Sequence, residues 1–319
     1  MTEVESLQTQ INSVITLYSN GQIKEALNRV EVLIKDYPNE ALLYNISGVC
    51  YKAIDKLDAA VESFEKALAI KPDYTEVNYN LGLTLQELGQ LDAAVKCYER
   101  AIAVNPDYAE AHNNLGVTLK ELGQPEDAVK SYEQAVAIKP DYAEALNNLG
   151  VAFMELGQRE DAVKSYDKAL TLQPDNAEAY GNLGVVFVQL GQLDDAVRSY
   201  EKALSLEPDN ADTYNNLGIA YYQLDQPDVA IKCYKKALSL APDYADAYAN
   251  LGCVMDSLDR LDEAQASYES AIALDPDLDY VFNDHLHTKM HLGLWDNQAN
   301  HLSELTKKIN NGEKALNPF

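Results

Sequence analysis

Residues Ala109–Tyr142 read AEAHNNLGVTLKELGQPEDAVKSYEQAVAIKPDY, and the 34 residues from Ala143 onward repeat that text with few changes. A proline marks the period: Pro38, Pro72, Pro106, Pro140, Pro174, Pro208, Pro242 and Pro276 stand 34 residues apart. Self-similarity at that spacing is the mark of stacked helical repeats, in which each unit buries its apolar face only against its neighbours. It overrides the two ordinary domains that 319 residues would otherwise suggest. Counted from the third residue after each proline, seven full frames begin at Ala41, Thr75, Ala109, Ala143, Ala177, Ala211 and Ala245, and together fill residues 41–278. Residues 1–40 are expected to form a degenerate N-terminal repeat or cap, and residues 279–319 a degenerate repeat, a cap and the start of a junction.

Each frame predicts two helices. The first is expected to start after Asp73, Asp107, Asp141, Asp175, Asp209 or Asp243, with an acid three residues later (Glu76, Glu110, Glu144, Glu178, Asp212, Asp246). That arrangement resembles a capping box, and both acids favour the positive end of a helix. The first helix should close at Gly89, Gly123, Gly157 and Gly191, or at Asp55, Asp225 and Asp259 in the same place, because these residues tolerate the left-handed conformation. The second runs about 14 residues to its proline, which lacks an amide hydrogen and clashes backwards. Two small columns let the helices approach: Gly48, Gly82, Gly116, Gly150, Gly184, Gly218 and Gly252, then Ala60, Ala94, Ala128, Ala162, Ala196, Ala230 and Ala264. Phe64, Tyr98, Tyr132, Tyr166, Tyr200, Tyr234 and Tyr268 fill the space between them. In the first frame Val14 takes the glycine place and Val30 the aromatic one, as suits a repeat with one neighbour.

This spacing of glycine, alanine, aromatic and proline resembles the tetratricopeptide repeat family over nearly the whole chain. The resemblance implies an all-α, right-handed superhelical solenoid of about nine helix pairs, with the first helices lining its concave side.

The formal charge is -26 and the pI about 4.4. Such a surface repels phosphate backbones and anionic membranes, so neither nucleic acid nor membrane is an expected partner. No run approaches a membrane-spanning length. The N-terminal MTEVESLQTQ lacks the basic start and apolar run of a secretory signal, so a cytoplasmic location is expected. Cys97 and Cys233 occupy the column held elsewhere by Ser63, Ser131, Ser165, Ser199 and Ser267, so these two thiols read as small packing residues. Neither they nor Cys50 and Cys253 have metal-type spacing. His287 and His291 stand four apart near His285, but no zincin pattern accompanies them, and they read as a polar helix face. No phosphate loop, nucleophile elbow or dinucleotide fingerprint occurs, and no cofactor or enzymatic activity is expected of this chain.

With the first helices turned inward, the sixth place of the frame faces the groove. It holds Asn80, Asn114, Asn148, Asn182, Asn216 and Asn250, with Asn113, Asn147 and Asn215 beside it in the fifth place. A primary amide both donates and accepts, so such a ladder would clamp an extended peptide backbone whatever its sequence. The same asparagines could serve local hydrogen bonding instead. The ninth place adds Leu83, Val117, Val151, Val185, Ile219 and Cys253, an apolar strip next to the amides. The acidic second place disfavours capture of a partner's carboxylate and favours basic or neutral Ser/Thr-rich segments.

The C-terminal wording LHTKMHLGLWD…LSELTKKINNGEKALNPF resembles the segment that joins repeats to the catalytic region in bacterial relatives of protein O-linked N-acetylglucosamine transferase. That resemblance implies a substrate-recognition arm of a larger glycosyltransferase-like protein, whose chemistry lies elsewhere. Gly293 and Trp295 are expected to close and anchor the last pair, and Asn317-Pro318-Phe319 reads as a chain interrupted on its way into another domain. The alternative is a freestanding scaffold that assembles other proteins.

Overall fold

The computed structural model describes residues 6–292. Within them are seventeen α-helices and no strand. They are α1 (Leu7–Ser19), α2 (Ile23–Asp36), α3 (Ala41–Ala53), α4 (Leu57–Ile70), α5 (Thr75–Glu87), α6 (Leu91–Val104), α7 (Ala109–Glu121), α8 (Pro125–Ile138), α9 (Ala143–Glu155), α10 (Arg159–Leu172), α11 (Ala177–Gln189), α12 (Leu193–Leu206), α13 (Ala211–Gln223), α14 (Pro227–Leu240), α15 (Ala245–Ser257), α16 (Leu261–Leu274) and α17 (Asp279–His291). The chain divides into two compact units, one ending at Leu172 and the other starting at Gln173. In each unit every helix packs on the next. The odd-numbered helices from α3 onward in the first unit, and α11, α13, α15 and α17 in the second, also touch one another side by side.

Helix ends follow the expected turn chemistry. Gly123 has φ +72°, its amide reaches the Lys120 carbonyl at 2.9 Å, and the Gln124 amide reaches the Leu119 carbonyl at 2.9 Å. This pair of bonds is a Schellman closure. Asp55, Asp225 and Asp259 adopt φ of 58–59° in the same place. The start of the first helix differs from expectation. The capping residue is Tyr74, Tyr108, Tyr142 or Tyr244, one residue past the aspartate, and it forms no side-chain cap. Where that residue is asparagine the cap forms: Asn176 accepts from the Ala179 amide and Asn210 from the Thr213 amide, each at 2.9 Å. The acids repeated three residues after the aspartates, such as Glu76, Glu110 and Glu144, stand in the first turn, where the helix dipole favours negative charge.

The core is one column of aromatic rings per unit, each ring set on a glycine. Phe64, Tyr98, Tyr132 and Tyr166 in the first unit, and Tyr200, Tyr234 and Tyr268 in the second, are essentially sealed from solvent. A Cβ placed at Gly150 would lie 2.7 Å from the Tyr166 ring, and one at Gly184 would lie 2.5 Å from the Tyr200 ring. The ring edge occupies the space of the missing side chain, so helix axes approach more closely than any larger residue permits. The serine column is buried and bonds the carbonyl four residues back, as from Ser165 to Asp161 at 2.9 Å. Cys97 and Cys233 are buried in the same column. Val14 and Val30 are buried in the first pair. The expected closure at Gly293, the Trp295 anchor and the junction lie outside the described residues.

Candidate functional site

All six sixth-place asparagines, Asn80, Asn114, Asn148, Asn182, Asn216 and Asn250, are half-buried on the first helices. The fifth-place asparagines are deeper: Asn113, Asn147 and Asn215 are 0%, 7% and 4% exposed. The two columns meet between successive repeats. In the first unit Asn80 Nδ2 donates to Asn45 Oδ1 at 3.2 Å, Asn114 Nδ2 to Tyr79 Oη at 2.9 Å, and Asn148 Nδ2 to Asn113 Oδ1 at 3.1 Å. In the second unit Asn250 Nδ2 donates to Asn215 Oδ1 at 2.9 Å. Each bond spans 35 residues, so the sixth place of one repeat is held by the fifth place of the repeat before it.

A further set of partners orients the fifth place. Tyrosines from the Pro-Asp-Tyr turns lie against it: Tyr74 beside Asn45, Tyr142 beside Asn113 and Tyr244 beside Asn215. Tyr79, which replaces asparagine in its repeat, stacks on Tyr108 with ring centroids 4.9 Å apart. Asn113 also donates to Glu144 Oε1 at 3.2 Å. Burial and the adjacent carboxylates raise the Tyr79, Tyr142 and Tyr244 hydroxyls above their ordinary range, so they stay neutral, and Tyr79 Oη accepts from Asn114 Nδ2. Asn45, Tyr79 and the turn tyrosines were missed by sequence reasoning. Their signal is the fifth column itself, but the pairing of that column with the sixth column of the next repeat depends on the rise between helices.

The arrangement holds four of the six sixth-place amides, those of Asn80, Asn114, Asn148 and Asn250, through one N–H each. In Asn80, Asn148 and Asn250 the side-chain Oδ1 accepts no hydrogen bond from the described residues. Beside them Leu83, Val117 and Val151, and in the second unit Val185, Ile219 and Cys253, are half-buried, each keeping one side open. In the second unit Ile219, Asn250 and Cys253 share a cleft of about 590 Å³ with Tyr222, Asp256 and Asp284. Burial pushes the Cys253 thiol up to about 11, and Asp284, 3.7 Å from its sulfur, adds to the shift.

The histidines occupy α17. His285 is buried with Nε2 3.6 Å from Glu269, and His287 and His291 face each other at 3.1 Å. Among the described residues no three His, Cys, Asp or Glu side chains converge as a metal site, and no helix is long and apolar enough to cross a membrane.

Comparison with known proteins gives the following. The family described as the cilia and flagella-associated protein 70 C-terminal domain matches residues 53–277, and the tetratricopeptide repeat family matches residues 13–75. A peroxisomal targeting signal receptor of Candida glabrata is 25% identical over 88 residues, which is 25% of this chain and 15% of that protein. This chain thus aligns with a small part of that relative's length. The crystal structure of MamA is similar at 30% identity with a TM-score of 0.50, covering 54% of this chain and 94% of MamA. A chain of the anaphase-promoting complex assembly Cut9–Hcn1 shares the fold at 16% identity and a TM-score of 0.59, covering 90% of this chain and 57% of its own.

Proposed function

We propose that this chain, which belongs to the cilia and flagella-associated protein 70 C-terminal domain family of tetratricopeptide repeats, binds extended polypeptide along the first helices of its units. It is a protein-interaction module of the tetratricopeptide type. The observation that supports the peptide reading is the paired amide column. Four of the half-exposed asparagines, Asn80, Asn114, Asn148 and Asn250, are held by the preceding repeat, so a peptide backbone meets amides already oriented there and loses less entropy on binding. The buried Asn113, Asn147 and Asn215 are assigned a positioning role, and the half-exposed Asn80, Asn114, Asn148, Asn182, Asn216 and Asn250 direct contact. The adjacent apolar strip would take alternate side chains, and the acidic second place favours basic or neutral Ser/Thr-rich sequence.

The test is Asn80→Ala combined with Asn148→Ala, read by fluorescence anisotropy against a library of extended dodecapeptides. Loss of two backbone hydrogen bonds should weaken binding about tenfold. Unchanged affinity would refute the contact role of the amides. A freestanding scaffold that engages folded partners through its other faces predicts that these variants are silent.

The junction-like wording after Leu286 supports a larger-scale reading, in which the module is the substrate-selecting arm of a glycosyltransferase-like protein. Intact mass of the protein isolated from its source distinguishes the two readings. A mass several hundred residues larger than this chain favours the arm, and a mass equal to this chain favours the scaffold.

A further inference from the structure

Two repeats lack both the fifth-place asparagine and the turn tyrosine, and in the one that starts at Ala245 the two places hold Ala249 and Leu278. In the repeat that starts at Ala177 the fifth place is Gly181, and the turn residue is Asn210 instead of tyrosine. Both groups that fill this space elsewhere are therefore missing. A Cβ at Gly181 would meet nothing within 4 Å, unlike the packing glycine Gly184 one turn later. The Asn210 side chain is committed to capping the Thr213 amide. What remains is a recess of about 360 Å³ wholly within the second unit, bounded by Glu178, Asn182, Glu207, Asp212, Thr213 and Asn216. Thr213 is 8% exposed and its hydroxyl makes no hydrogen bond to the described residues. Asn216, whose acceptor would come from the fifth place, has no such partner at Gly181.

The chain itself shows what charge belongs there. Two repeats earlier the places of Glu178, Glu207 and Asn210 are Glu110, Lys139 and Tyr142. Lys139 Nζ lies 3.4 Å from Glu110 Oε1 and 4.7 Å from the centroid of the Tyr142 ring. That internal ammonium neutralises the second-place acid and rests on the turn tyrosine. In the recess the lysine has become Glu207, the ring is gone, and neither Glu178 nor Glu207 forms an ion pair among the described residues. An acid pair has thus replaced an acid–base pair at the edge of an open space that borders Asn182, Asn216 and the apolar Val185.

We infer that this recess is a specificity subsite for a lysine side chain supplied by the bound polypeptide. The peptide's ammonium takes the place that Lys139 fills internally, between Glu178 and Glu207, with Asp212 and the Thr213 hydroxyl as further acceptors. The methylene stem lies in the space vacated at Gly181 and Asn210. This inference rests on the peptide reading above and adds one selected residue to it.

The test uses the full chain and fluorescein-labelled dodecapeptides of Ser, Thr and Ala that carry one central lysine, arginine, norleucine or glutamate. Affinities are measured by anisotropy at physiological salt. The lysine peptide should bind about fivefold more tightly than the norleucine peptide, the scale of one modest ion pair. The advantage should vanish in Glu207→Lys, which restores the internal cation, and in Gly181→Asn, which refills the space. It should persist in Asp194→Lys, which makes the same charge change about 20 Å away at the far end of α12. Equal affinity for lysine and norleucine peptides overturns the subsite while leaving the peptide reading intact. A lysine advantage that survives Glu207→Lys also overturns it, since the preference then comes from the overall charge. An arginine peptide that binds more tightly than lysine overturns the choice of ammonium. If none of the four peptides binds, the peptide reading itself falls and the subsite with it.

Discussion

Gly181 and Gly184 stand one turn apart on α11, and a methyl group should affect them in opposite directions. At Gly184 the added carbon would fall 2.5 Å from the Tyr200 ring. Gly184→Ala should therefore destabilise the second unit by about 1–3 kcal/mol, the range for overpacking. At Gly181 the carbon enters open space, and glycine only adds backbone entropy to the unfolded chain. Gly181→Ala should stabilise by ~0.5–1 kcal/mol. Urea unfolding midpoints of the two variants, expected on either side of the parent, check both. The amide columns separate in the same way. Asn215→Ala strips the buried acceptor that holds Asn250 and should cost about 1–3 kcal/mol. The half-exposed Asn80 can be truncated with much less effect on stability, because water replaces its partner.

At the scale of the helix, the start of each first helix is set one residue later than its aspartate suggests. Asn176→Ala and Asn210→Ala remove observed caps and should each cost ~1 kcal/mol. Asp175→Ala and Asp209→Ala should cost only a few tenths of a kcal/mol through the dipole, screened by salt. Thermal melts at low and high salt distinguish the two classes: the asparagine effect should be salt-independent. The helix pair as a whole depends on its small column. Ala162 is fully buried against this packing, so Ala162→Trp should disrupt the α9–α10 contact and lower the thermal midpoint by several degrees.

For the whole molecule, a formal charge of -26 and ion pairs that are largely exposed mean that electrostatics oppose folding at low ionic strength. The thermal midpoint should rise with added sodium chloride at pH 7. High pH acts through the buried thiols. Burial pushes Cys50 and Cys233 up to about 11 from an ordinary value of 9.0, so the folded state favours the protonated thiol. Their stabilising contribution is complete below about 9 and is lost as pH rises toward about 11. Stability should fall across that interval, and the combined Cys50→Ser and Cys233→Ser variant should flatten the fall. The serine column, which bonds the carbonyl four residues back, shows that this exchange is sterically accepted at Cys233.

The 34-residue period, the turn residues and the glycine–aromatic columns determined the helix pairs from the sequence alone, because each is a local rule repeated many times. Gly123 and Asp225 were expected to be left-handed and Tyr132 to fill space between the small columns; the structure does both and sets Tyr132 on Gly116. The six half-exposed asparagines were likewise visible as a column. The tertiary structure decided what the period leaves open: which column of one repeat meets which column of the next. That depends on the rise and rotation between helix pairs, a sum of packing contacts spread over many residues. It buried Asn113 and Asn215 while leaving their immediate sequence neighbours Asn114 and Asn216 half-exposed. It also turned two unremarkable letters, Gly181 and Asn210, into an acid-lined recess, because only in three dimensions do their missing side chains fall in the same place.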